Sequence, residues 1–210
     1  MNVIKVLKAG CSFLTEFKSG DPMSAYDVRE FLQSRYKFFE APITLERMFA
    51  EEGGEFQYGE FREKAIRRLV IESSGFIAET GEDTTFTEEL LRDVVGAIEK
   101  QFKMQISIEV VGYDSILEVQ WDQDPLARYT EIQPIQNSMN DKIDQSHPGM
   151  GVLALSKIEF NSPVLEEDAS TQLTFSLERR QGKLFAENIF YSRAPLKTDE
   201  HVQLLKAHFG

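Results

Sequence analysis

The 210 residues predict an α+β fold, a largely antiparallel β-sheet with helices packed on one face. Three observations support this. Strand-length runs of alternating apolar and polar residues outnumber helical runs. Most of them follow one another through short turns, as antiparallel strands do. Strands lead into a Thr-opened helix in both halves, a recurrence that allows two similar β-hairpin-plus-helix halves. One compact domain over 1–210 is expected, and a two-lobe division would fall near 123–150.

The elements follow in order. Ser24 through Asp27 has the form of a helix start, with Val28, Phe31 and Leu32 on one face behind it. Two readings compete next. Pro42 through Gly53-Gly54, carrying Ile43, Leu45, Met48 and Phe49, fits a short helix with proline at its start and glycine past its end. The aromatic crowding from Tyr36 to Thr44 fits a strand instead. Phe56 and Tyr58 then alternate with polar residues. Ala65–Glu72 and Phe76–Thr80 flank Ser73-Ser74-Gly75, a hairpin in which Gly75 would supply a positive φ. Thr85 and Glu88 read as a capping box before Phe86, Leu90, Val94, Ile98 and Phe102, the clearest helical stripe in the chain.

Gln105–Val111 and Ser115–Asp122 read as two strands joined at Gly112-Tyr113-Asp114, followed by a loop over 123–130. Pro134 opens a helix with Ile135, Met139 and Ile143 at four-residue spacing, and His147 through Gly151 is a turn. Val152, Ala154, Ile158 and Phe160 alternate. After the acidic loop Glu166-Glu167-Asp168, so do Leu173, Phe175 and Leu177. A two-residue turn at Gln181-Gly182 would set Leu177 against Ala186 and Phe175 against Asn188, leaving Asn188 on the apolar face. Thr198 caps a last helix carrying Val202, Leu205 and Phe209. This C-terminal hairpin and helix are expected to be the organising half of the fold and to contribute to self-association.

Composition narrows the function. With 35 acidic and 23 basic residues the formal charge is −12. Binding to phosphate backbones or anionic membranes depends on Lys and Arg, so neither nucleic acid nor membrane is an expected partner. Arg67-Arg68 and Arg179-Arg180 are too short for a basic stripe, although the tip from Arg179 to Lys183 could touch one phosphate. Lys and Arg are mixed evenly among the acids, which argues against a mimic of DNA. Cys11 is the single cysteine, which rules out an internal disulfide and a thiolate zinc site and fits a cytoplasmic location. Leu7 through Cys11 nearly spells a lipoprotein cleavage box, but Lys5 and Lys8 break the apolar run that an export signal needs.

No motif for chemistry is present. Phosphate-loop, dinucleotide, zinc-protease and nucleophile-elbow patterns are all missing, so no cofactor is expected. His201 and His208 stand two helical turns apart, too far to share a metal. Carboxylates cluster at Asp114, Glu118, Asp122 and Asp124 and again at Glu72, Glu79 and Asp83. Strand parity would point Glu118 and Asp122 the same way, but the Lys that a magnesium nuclease places two residues after its Glu is replaced by Gln120. The best-founded site is an anion or partner-binding cluster of Arg193, Lys197, Thr198 and His201, where a strand meets a helix start with free N–H groups. By elimination the expected function is a non-catalytic protein-interaction or assembly subunit, acting through a sheet edge or apolar patch on another protein or itself. The alternative is a carboxylate-based enzyme, with or without a divalent metal, on a phosphate-containing or other small substrate.

Overall fold

The computed structural model describes residues 1–19, 25–42, 54–146, 153–162 and 173–210. In chain order they form β1 (Asn2–Ser19), α1 (Ala25–Tyr36), β2 (Gly54–Phe61), β3 (Lys64–Glu72), β4 (Gly75–Thr80) and α2 (Thr84–Phe102). The order of elements then repeats with β5 (Gln105–Gln120), α3 (Gln133–Ser146), β6 (Lys157–Asn161), β7 (Thr174–Arg179), β8 (Ile189–Ala194) and α4 (Thr198–Phe209). The strands form one antiparallel sheet in the order β2-β3-β4-β1-β5-β8-β7-β6. The α+β class read from the alternating runs therefore holds. The chain divides into two compact units. The larger comprises Val6–Leu117 and Ala194–His201, the smaller Met1–Lys5, Glu118–Arg193 and Val202–Gly210.

In the larger unit β1 is an element the sequence did not announce. Lys5 and Lys8 interrupt its apolar pattern, yet Ala9, Cys11, Phe13 and Thr15 alternate inward. It pairs with β4 from Ala9↔Thr80 to Leu14↔Gly75. The β3–β4 hairpin turns at Ser73-Ser74 as expected, but Gly75 has another role there. Its φ is not positive. A Cβ at Gly75 would run into the carbonyl of Phe13, so the missing side chain is what lets β1 approach. The β2–β3 hairpin turns on Arg62-Glu63, both with positive φ (48° and 63°), where such turns ordinarily use Asn-Gly. Nothing in those two residues signals that turn.

α2 covers the core. Leu90, Leu91, Val94, Val95 and Ile98 pack with Phe13, Ile66, Leu69, Ile71 and Phe76 of the sheet and Val28 and Leu32 of α1. Its cap is not the Thr85–Glu88 box. The Asp83 carboxylate accepts the Phe86 N–H at 2.8 Å, which leaves Glu88 free for other partners. Tyr36 closes α1 instead of opening a strand, and only Glu40 bridges to Gln57 of β2. The expected cap at Ser24, most of the 42–53 helix, the 147–151 turn and the Glu166–Asp168 loop lie outside the described residues. Gly112-Tyr113-Asp114 is no turn: β5 runs through it unbroken.

The smaller unit is knit by aromatic rings. Trp121 meets Phe190 edge-on at 5.5 Å, and Phe175 stacks on Phe209 at 6.1 Å. Its C-terminal hairpin departs from the expected register. Leu177 pairs with Ser192 and Arg179 with Phe190. The cause is local: Phe185–Glu187 forms a 3-10 turn, and Asn188 closes it in the left-handed region (φ 49°). Asn188 thus sits outside the strand, and the buried-amide conflict does not arise. Arg179 is no solvent-facing tip. It is buried between the Phe185 and Phe190 rings and bonded to Asp124 at 2.6 Å. Of the alternating run, Val152 lies outside the described residues and the strand begins only at Lys157, after Ala154.

Candidate functional site

Of the four residues expected to hold an anion or partner, Lys197, Thr198 and His201 fall in the larger unit and Arg193, which is exposed, falls in the smaller. Lys197 lies 3.4 Å from the Glu88 carboxylate and 4.9 Å above the Tyr113 ring. The Tyr113 hydroxyl donates to the same carboxylate at 2.7 Å, and Arg92 reaches its other oxygen at 2.6 Å. The Tyr113 hydrogen bond, with Arg92 and Lys197 beside it, holds Glu88 below the usual carboxylate range. Glu88 thus stands where an anion bound to Lys197 would have to stand.

Thr198 has a reciprocal partner. Its N–H donates to Thr84 Oγ1 at 2.8 Å, and the Thr84 N–H donates to Thr198 Oγ1 at 3.1 Å. These are the first residues of α4 and α2, so each helix start caps the other. His201 is fully buried, with Nδ1 2.7 Å from Ser115 Oγ. Burial pushes the imidazole down to about 4, against a weaker opposing pull from Asp114. Near neutral pH it therefore carries no charge to offer an anion.

Most members of the acidic clusters are paired inside the chain. Asp114 and Glu79 share Lys8 at 3.1 Å each. Glu118 pairs with Arg180 and Asp124 with Arg179, while Asp83 caps α2. Asp122 lies past the end of β5, so strand parity does not set it beside Glu118. Among the described residues no three His, Cys, Asp or Glu side chains gather closely enough to hold a metal. Cys11 is buried, its thiol pushed up to about 12 mainly by desolvation, so it is no ready nucleophile. A cleft of about 490 Å³ in the smaller unit is lined by Trp121, Asp124, Arg128 and Phe209. Two of its charged groups are engaged too, Asp124 with Arg179 and Arg128 with the carbonyls of His208 and Gly210. No described helix is long and apolar enough to cross a membrane.

Among the described residues of the smaller unit, an apolar stripe is also left open. α3 buries none of its described residues. Ile135 is 64% exposed and Met139 48%. The inward contacts of α3 are polar: Gln136 and Asn140 donate to the Leu153 carbonyl at 2.8 and 3.2 Å, and the Leu153 N–H donates back to Asn140. In the same unit β6 ends the sheet order, with Phe160 61% exposed. The sequence marked the α3 stripe but could not show that it faces solvent. No known family model matches the chain, and no curated protein matches it either.

Proposed function

We propose that the protein is a non-catalytic assembly subunit that associates with copies of itself through the apolar face of α3 and the free edge of β6. The observation that carries this reading is the inverted α3. Its Ile135 and Met139 face water while its amides hold the chain at Leu153. An exposed apolar stripe of this kind marks an interaction surface. A net charge of −12 repels copies at a distance, so contact has to begin where charge is low. The run 133–140, Gln-Pro-Ile-Gln-Asn-Ser-Met-Asn, carries none. Most ionised groups of the other candidate sites, Glu88, Asp114, Glu118, Asp124 and Glu79 among them, are engaged within the chain, which favours assembly over carboxylate catalysis.

Light scattering over a concentration series tests it. The wild type should rise above the single-chain mass of 24.0 kDa as concentration increases. Ile135→Glu with Met139→Glu should return it to that mass with an unchanged melting temperature. A wild type that stays at the single-chain mass over the whole series overturns the proposal.

A further inference from the structure

We infer that two copies join through β6, edge to edge and antiparallel, in a register centred on Ile158; the inference rests on the self-assembly reading above. The backbone of β6 shows which groups are free. The Arg179 N–H donates to the Ser156 carbonyl, and the Ser162 N–H donates to the Leu173 carbonyl. With the β6–β7 register, this assigns the even-numbered residues 156 to 162 to β7. The N–H and C=O groups of Lys157, Glu159 and Asn161 therefore point outward. No described strand lies beyond them. The other end of the sheet differs: β2 is covered by Phe39 and Glu40, which bond Gln57 and Tyr58. A head-to-tail β2–β6 contact would find the middle of that edge occupied, which favours β6 pairing with itself.

Charge selects the register. Outward-facing backbone groups must meet their like, so a two-fold pairing has to centre on a residue and not between two, and the centres that bring the charged residues together are 157, 158 and 159. Centring on Lys157 sets lysine against lysine, and centring on Glu159 sets glutamate against glutamate. Only the Ile158 centre lays each Lys157 across from the other copy's Glu159. Like charges directly opposite are unfavourable and opposite charges favourable. On the other face the same register puts Ile158 against Ile158 and the exposed Phe160 against the small Ser156, a large residue over a gap. Unpaired edges are usually blunted by inward-pointing charge, proline or a covering loop. Among its described residues β6 has no proline and no inward-pointing charge, and its edge charges, Lys157 and Glu159, are exposed and bond each other at 2.5 Å.

Charge reversal tests the register. Lys157→Glu and Glu159→Lys should each weaken the dimer roughly tenfold, because each puts like charges opposite at two symmetric places. The double reversal should restore it to within about threefold of the wild type. Melting temperatures measured alongside separate lost pairing from lost folding. Ile158→Cys adds a direct readout, since Cys11 is buried and the new thiols would face each other across the axis. Oxidation should yield a covalent dimer, while the same change at Glu159 should not. A wild-type dimer that ignores both single reversals overturns this register and leaves the assembly reading standing. A wild type that never dimerises overturns both.

Discussion

α2 and α3 carry the same sequence signal, apolar residues every four positions, and the molecule treats them in opposite ways. In α2, Leu90, Val94 and Ile98 are almost completely buried, whereas in α3 Ile135 and Met139 of the corresponding stripe look outward and Ile143 is half-buried. The difference lies in the width of the stripe. α2 doubles it with Leu91 and Val95, enough to cover a sheet face, and Asp83 fixes its start. α3 has one narrow row bordered by Gln136 and Asn140, whose amides take the inward positions. Periodicity thus defines a face, and the breadth of that face decides whether it can form a core.

The sharpest way to break this comparison is truncation. Leu90→Ala should lower stability by about 2–5 kcal/mol in urea unfolding, as a buried leucine does. Ile135→Ala should change it by less than about 0.5 kcal/mol when both are measured at dilutions where the chain is single. Equal losses at the two positions would mean that α3 is covered after all. A second difference concerns polar groups, which the region around α2 buries and pairs. His201 has a folded value of about 4, well below its unfolded value near 6.5. The unfolded chain therefore takes up the proton first as pH falls. Stability should be fully present above about 6.5 and decline towards pH 4, by about 3 kcal/mol at most. His201→Asn should flatten the curve between about 6.5 and 4.5, before Glu88 and Glu55, both held low by hydrogen-bond partners, begin to take up protons. A profile identical to that of the wild type would show that the Ser115–His201 pair is not a buried neutral one.

The smallest effect sharpens the picture at the helix starts. Thr84→Ala and Thr198→Ala should each cost about 1 kcal/mol. Because the two hydrogen bonds are reciprocal, the double variant should cost less than the sum. Additive losses in a double-mutant cycle would mean that the two caps act independently.

The sequence by itself determined the α2 stripe, the β3–β4 turn, the α3 and α4 helices and the alternating strands, because period, capping and turn chemistry act over a few residues. It also determined that no metal or cofactor motif is present. What it left out follows from contacts remote along the chain. β1 is a strand because β4 offers Ala9 through Leu14 a partner and Gly75 lets it come close. The register of β7 and β8 turned on a left-handed Asn188, which no alternation rule sees. Glu88 lost its place in a capping box once Asp83 reached Phe86, and it became the partner of Lys197 and Tyr113 instead. Residues 114 positions apart, Thr84 and Thr198, satisfy each other's helix starts. Only the tertiary structure could decide such pairings, because a polar group takes whichever partner folding brings within hydrogen-bond reach, and spacing along the chain does not record that distance.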